Sequence, residues 1–536
     1  MPLGQLPAIF RIAFPDSLTT GSRQLTTNSR RDKLRHVLAK VHSFVLIGID
    51  AIACEVEADV SQRGLSRTVV VGLAQAAVKE SIERVHRAMT NCGFPYPVHG
   101  ISINLAPADV KKEGPALDLA IAIGLLSATG SVKGEKHKEY LIAGELALDG
   151  RVRRIKGALS LAMLARERKF AGVICPADNA REAAVVEGCD VHPVSTLSEA
   201  AAFLNGNLPI RPYQLDGQRY EASQFAPALD FSDVRGQEAV KRAITVAAAG
   251  GHNILMIGPP GTGKTMLAKR IAGILPPLAR QESLETTRIY SALGLLPEGV
   301  ALMDERPVRM PHHSATAQAL IGGGSIPKPG EVSLAHHGIL FLDELPEFSR
   351  YVLEMLRQPL EGGEVTIARV HGSVRFPARF MLVAAMNPTA AGYASSNPRV
   401  NERYLSKLSG PLLDRIDIHV EVPAVPYPEL TGRTPGTDSA TMRKKVHSAR
   451  IIQEKRYGDP TVNAGLSTKQ MKAHCELSDG CLLLMKQAMS ELGLSARAYD
   501  KVRRVARTCA DLENASEITE NHVAEAIQYR LLDRRF

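Results

Sequence analysis

The chain has 536 residues, 45% of them hydrophobic and 23% charged, an ordinary globular composition in a length that suits about three domains. No apolar run approaches the roughly 20 residues that cross a bilayer as a helix, and the seven cysteines are scattered without a CxxC pair, which argues against a disulfide framework or a cysteine zinc site and fits a reducing cytoplasm. The net charge of +9 permits an anionic partner such as nucleic acid without requiring one, while the absence of tryptophan and the 5% of aromatics argue against a base-stacking platform.

Residues 1–37 are basic, poor in acids and without an apolar period, and read as a flexible N-terminal extension. From Leu38 the texture changes. VHSFVLIGIDAIACEVEADV (41–60) is strand-rich, and TVVVGL (68–73) reads as a buried strand. AQAAVKESIERVHRAMTNCG (74–93) has the period of an amphipathic helix that stops near Gly93. GISINLAPAD (100–109) reads as a strand and turn, PALDLAIAIGLLSATG (115–130) as an apolar helix, and YLIAGELALDGRV (140–152) as a hairpin. ALSLAMLARERKF (158–170) is a second helix and GVICPAD (172–178) a buried strand, completing an α+β domain over 38–207. Residues 208–228 look like a linker, 229–425 an α/β nucleotide-binding core, 426–445 a second linker, and 446–536 a helical domain with almost no strand signal.

HNILMI (252–257) is a short apolar strand running into GPPGTGKT (258–265), after which TMLAKRIAGIL continues as a helix. Strand, glycine loop, helix is the context in which this spacing binds a nucleoside triphosphate. Gly258, Pro259, Pro260, Gly261, Thr262 and Gly263 form the loop whose backbone N–H groups close on phosphate oxygens. Lys264 reaches the β- and γ-phosphates, and Thr265 offers a hydroxyl to Mg²⁺. GILFLDEL (338–345) is an apolar strand ending in two acids: Asp343 for Mg²⁺, Glu344 to orient and deprotonate the attacking water. FMLVAAMNP (380–388) ends in Asn387, an amide placed to hold that water. In LSGPLLDRID (408–417), Arg415 stands between two aspartates as an arginine finger or a surface ion pair. In LSARAYDKVRRVART (494–508), Arg497 opens a helix where a second sensor arginine belongs, with Arg504 two turns on as a substitute.

These parts in this order resemble an AAA+ ATPase, which implies a doubly wound parallel sheet with a helical lid, ATP and Mg²⁺ as cofactors, and a ring, most simply a hexamer, in which Arg415 completes a neighbour's site. Two insertions, about 302–337 with its GGG, PKP and paired histidines, and 361–380, which alternates like a hairpin, resemble the magnesium-chelatase and MCM-helicase branch, where insertions project toward the pore. KVHSFVLIGIDAI, VGLAQAAVKESIERV, ALIGGGSIPKPGEVSLAHHGILFLDELPEF, KLSGPLLDRID and SARAYDKVRRVART together resemble the ComM/YifB family of magnesium-chelatase-like ATPases. Family members usually start just before the residues matching LAKVHS, consistent with an upstream extension.

The resemblance implies a DNA translocase or helicase that promotes branch migration in recombination, including uptake of transforming DNA. Arg369, His371, Arg375 and Arg379 on the second insertion would follow a phosphate backbone. The alternatives are a protein remodeller, for which no aromatic pore loop is evident, and a magnesium-chelatase-type motor, for which the metal-binding partner domain is missing. The first domain resembles the Lon protease fold, yet Ala116 and Leu159 stand where its serine and lysine belong, so no proteolysis is expected. The family's cysteine knuckle after Asn387 is also missing: residues 388–404 contain no cysteine or histidine, which excludes a zinc site there.

Overall fold

The computed structural model describes residues 37–61, 67–72, 76–112, 114–215, 229–324, 327–369, 372–389, 407–427, 429 and 436–530. The N-terminal extension, much of the loop 388–404, residues 216–228 of the expected linker, and the hairpin-tip residue His371 with the Arg369 side chain lie outside these residues.

The first unit is built on β1 (Val37–Ile47), β2 (Asp50–Val60), β3 (Thr68–Val71), β4 (Ile101–Ala106), β5 (Tyr140–Ile142), β6 (Glu145–Leu146), β7 (Val152–Arg153), β8 (Gly172–Pro176) and β9 (Asp190–Val194). Seven of them form one mixed sheet in the order β3-β4-β2-β1-β5-β8-β9, while β6 and β7 make a separate small hairpin. β1 and β2 pair antiparallel from Val37 opposite Val60 to Ile47 opposite Asp50. Along β4, Ile101, Ile103 and Leu105 are buried, the period of two that a strand with one covered face requires. The helix Asp118–Ala128 is apolar all round and runs through the core, as its composition demands.

The second sheet contains β10 (Ile254–Ile257), β11 (Val308–Arg309), β14 (Ile339–Leu342), β17 (Met381–Met386) and β18 (Ile418–Glu421), interrupted in sequence by two hairpins, β12 (Gly322–Gly323) with β13 (Lys328–Pro329), and β15 (Glu364–Arg369) with β16 (Gly372–Pro377). Its order is β11-β14-β17-β10-β18 and every pairing is parallel. ILMI, ILFL and MLVAAM are buried at every position, because helices cover both faces and leave no solvent side for polar residues to alternate onto. The second insertion is the antiparallel hairpin its alternation predicted, and the first is a mixture of short helices and the β12–β13 hairpin.

After β18 the described chain is helical, with helices Ser439–Tyr457, Thr468–His474, Asp479–Leu492, Ala496–Leu512 and Glu520–Gln528. The first of these begins inside the stretch expected to be linker, because the Asp438 side chain caps it by accepting from the Thr441 N–H. Val446, Val502, Val505 and Val523 share one apolar cluster with Ile254, Val383 and Ile418, so these helices and the second sheet have a common core.

The two units meet along the helix Arg280–Leu293. Arg288 pairs with Asp50 and donates to the Ser160 hydroxyl, the Ser291 hydroxyl donates to the buried Glu182 carboxylate, and Arg154 donates to the Leu296 carbonyl at 3.0 Å. A second contact joins the β1–β2 turn to β16. Gly48 has φ +66°, and a Cβ there would stand 2.5 Å from a Val374 methyl, so only glycine fits both the turn and the approach. Ile49 beside it packs in one cluster with Val374 and Phe376.

Candidate functional site

Sheet order decides which strand ends meet. β17 lies between β10 and β14, so Asn387, which follows β17, sits beside the glycine loop that follows β10 and beside the acids that follow β14. Gly258 touches the end of β18: a Cβ on it would stand 2.2 Å from the Val422 carbonyl oxygen. Gly263, with φ +84°, turns the loop into the helix Lys264–Ile271, whose first N–H groups face the loop's concavity.

Lys264 is buried, and its ammonium donates to the Gly258 and Pro259 carbonyls, each at 2.7 Å, and to Asn387 Oδ1 at 3.1 Å. Burial holds its pKa below the ordinary lysine value, and Asp343 opposes that shift. The Thr265 hydroxyl donates to Asp343 Oδ2 at 2.6 Å. A hydroxyl and a carboxylate in contact are a pair of hard oxygen donors suited to Mg²⁺. The donor set therefore fits a magnesium nucleotide: backbone N–H groups and one ammonium for the phosphates, two oxygens for the metal. Thr262 is used within the loop, donating to the Pro259 carbonyl at 3.0 Å.

Glu344 is exposed and has φ +51°, an uncommon conformation for a side-chain-bearing residue. Its own N–H donates to Asp343 Oδ1 at 2.9 Å. His313, from the first insertion, brings Nδ1 to 3.3 Å from Glu344 Oε2, and its ring meets Phe348 edge-on. Sequence reading missed His313, whose only visible trace was the HH pair directly after MP.

The segment 408–417 carries Arg415, and neither neighbouring aspartate is its partner. Asp414 faces Arg497 at 3.7 Å, and Asp417 is taken by Lys501 at 3.1 Å. Arg415 pairs with Glu361 of the helix Arg357–Gly362 and donates to the Pro411 carbonyl, with its side chain 10% exposed. Arg497 and Arg415 are thus engaged at this segment, and Lys264 with Asn387, Thr265 with Asp343, form the group at the loop. Arg504, the substitute for Arg497, is turned inward and donates to the Leu466 carbonyl at 2.7 Å.

The backbone beneath Arg415 is fastened from both sides. Asn253 Nδ2 donates to the Arg415 carbonyl at 2.8 Å, and Lys501 and Arg530 donate to the Ile416 carbonyl at 3.1 and 2.7 Å. Burial alone would push the Asp417 carboxyl up, but the Lys501 ammonium and the His252 imidazole beside it outweigh burial and hold it well below the usual carboxylate range.

One other cluster among the described residues has metal-ligand chemistry: Glu285, His336 and His337. His336 Nδ1 accepts the Arg379 N–H at 3.0 Å, so in neutral form its Nε2 carries the proton toward Glu285 at 3.3 Å. That tautomer gives no lone pair to a metal, and the cluster reads as a hydrogen-bond network joining the helix Arg280–Leu293 to the approach of β14.

In the first unit, Ala116 packs against the cluster that contains Leu159, and Leu159 is wholly buried. Neither offers a nucleophile or a base.

Models of the magnesium chelatase subunit ChlI match residues 230–430, residues 56–179 and, for its C-terminal part, residues 436–530. The chain is 43% identical to the competence protein ComM of Haemophilus influenzae, over 93% of this chain and 98% of that protein. It is 44% identical to YifB of Escherichia coli over the same shares of both chains. Similarity to the magnesium-chelatase 38 kDa subunit of Rhodobacter capsulatus is lower, 25% over 58% of this chain and 88% of that protein. No helix among the described residues is long and apolar enough to cross a membrane.

Proposed function

Because this chain belongs to the ComM/YifB family of magnesium-chelatase-like ATPases, we propose that it is a hexameric ATP-driven motor acting on DNA as a translocase or helicase, with branch migration as its task. The observation that carries the ATPase part is the meeting of Lys264 with Asn387 and of Thr265 with Asp343 at the end of one parallel sheet. In this reading Lys264 and the loop N–H groups hold the phosphates, and Thr265 and Asp343 hold Mg²⁺, which supplies charge neutralisation on the phosphate oxygens. Glu344 takes the proton of the attacking water, and Asn387 orients that water. Arg415 and Arg497 act at the boundary between subunits.

The DNA part is supported by the β15–β16 hairpin, where the Arg375 side chain is 74% exposed and its nearest carboxylate, Glu364, is 3.8 Å away. A guanidinium held loosely at that distance is free to take up a phosphate oxygen. The name of the Haemophilus influenzae relative, a competence protein, accords with work on DNA. The first unit, taken as a Lon-like fold with Ala116 and Leu159 in place of a nucleophile and its lysine, serves as a platform and hydrolyses no peptide.

The test is ATP hydrolysis with single-stranded, duplex and branched DNA across a salt series. The expected result is stimulation by at least one DNA that fades as salt rises, with Arg375→Ala lowering the DNA affinity. No response to any DNA would remove the DNA reading, and stimulation by unfolded polypeptide instead would make the chain a protein remodeller.

A further inference from the structure

The pairing of Arg415 is incomplete. Its guanidinium reaches one oxygen of Glu361 and the Pro411 carbonyl, and its Nε, buried, has no partner. An arginine fork offers parallel donors that suit two oxygens at once, and here one of those directions is unused. Glu361 differs from it in setting. It is 59% exposed, at the end of the helix Arg357–Gly362, on the rim of a cleft of about 950 Å³ between that helix, the helix Ala317–Ile321 and β15. The arginine is fixed from below by Asn253, Lys501 and Arg530, whereas the carboxylate that holds its head is solvated and free to turn away.

We propose that Glu361 is a cis latch on Arg415: it holds the guanidinium while the subunit has no neighbour, and gives it up to the phosphate of a nucleotide bound in an adjacent copy of this chain. The inference rests on the ring reading above and adds a regulatory residue to it. The chemistry sets the direction of the exchange. A single carboxylate oxygen satisfies part of the guanidinium, and phosphate oxygens satisfy the rest, Nε included. The carboxylate and the incoming phosphates are both anionic, so Glu361 must swing out into solvent as the neighbour docks, and its exposure leaves room to do so. Glu361 is therefore a positioning residue whose removal acts on the threshold of assembly, leaving the rate of the assembled ring alone.

The experiment is specific ATPase activity against protein concentration for the wild type, Glu361→Gln and Arg415→Ala in the full chain. Light scattering with a non-hydrolysable ATP analogue reads the same threshold as particle mass. An ion pair with one solvated partner contributes about 1 kcal/mol, which corresponds to roughly a five-fold shift. Glu361→Gln is expected to reach half-maximal activity and half-maximal mass at about five-fold lower protein, with the same plateau, while Arg415→Ala stays low throughout. A Glu361→Gln curve that coincides with the wild type, or moves to higher protein, while Arg415→Ala is inactive, overturns the latch and leaves the finger in place. Full activity in Arg415→Ala overturns the finger, and the latch with it.

Discussion

His313 Nδ1 lies 3.3 Å from Glu344 Oε2, so a residue of the first insertion holds the acid that the proposed mechanism uses as its base. The imidazole's charged contact is with this carboxylate, and its effect should fall on turnover. His313→Ala is expected to lower kcat for ATP up to about five-fold, the equivalent of an exposed polar contact of at most roughly 1 kcal/mol, with the ATP dissociation constant unchanged. His313→Asn, which keeps a polar group near the Nδ1 position, should recover most of the loss. Steady-state kinetics beside fluorescent nucleotide binding separates the two quantities, and a change confined to binding would refute this role.

Lys264 and Glu344 divide binding from chemistry. Glu344→Gln should bind ATP as tightly as the wild type and hydrolyse it about 100-fold more slowly, the range for loss of a general base. Lys264→Ala should lose binding. If the finger acts across subunits, mixtures of Lys264→Ala with Arg415→Ala subunits should hydrolyse ATP faster than either alone. Turnover measured across mixing ratios checks this, and a flat response would deny action in trans.

The network around His336 makes stability pH-dependent. Burial, with His337 beside it, pushes the His336 pKa down from 6.5 to about 4, although Glu285 opposes the shift. The unfolded chain therefore binds the extra proton more readily than the folded one. This contribution is complete above pH 6.5 and is lost as pH falls toward 4. Glu285, which burial alone would raise, is held at about 2 by His337, Gln281 and His336, and its contribution is lost lower still, as pH falls from 4.5 toward 2. Thermal unfolding should show a midpoint that drops between pH 6.5 and 4, and His336→Asn should flatten that part of the curve. An identical slope in the variant would assign the loss to other groups.

Lys501 should matter to stability more than its surface neighbours do. It is buried, with Asp417 at 3.1 Å and the Ile416 carbonyl also at 3.1 Å. Removing one member of a buried pair leaves the other charge without compensation and costs about 3 kcal/mol or more. Lys501→Met should lower the unfolding midpoint by several degrees, while Arg497→Ala, exposed on the same helix, should leave it within error. Calorimetry of both variants distinguishes the two positions.

The parts of the site that follow buried parallel strands were legible in the sequence. ILMI, ILFL and MLVAAM are continuous apolar runs because both faces are covered, and each run ends where a polar side chain first reaches the open edge. Arg415 was legible as a residue and its partner was not. Two aspartates flank it in sequence, yet tertiary structure assigns Asp414 to Arg497 and Asp417 to Lys501, and a helix some fifty residues earlier supplies Glu361. His313 was hidden for a related reason: the first insertion has no period, so nothing in its pattern tells which side chain turns toward the acids. The start of the helix Ser439–Tyr457 is carried by one cap, Asp438, inside a stretch expected to be linker.

The contact between the β1–β2 turn and β16 makes the second hairpin a cantilever. Ile49 clusters with Val374 and Phe376 of β16, and Gly48 allows the turn to come within contact distance of both. A load applied to the hairpin reaches, through Val374 and Phe376, the turn that joins the two longest strands of the first sheet. In the proposed motor, the first unit would be the abutment that takes this load, and a change that loosens Ile49 would weaken that path.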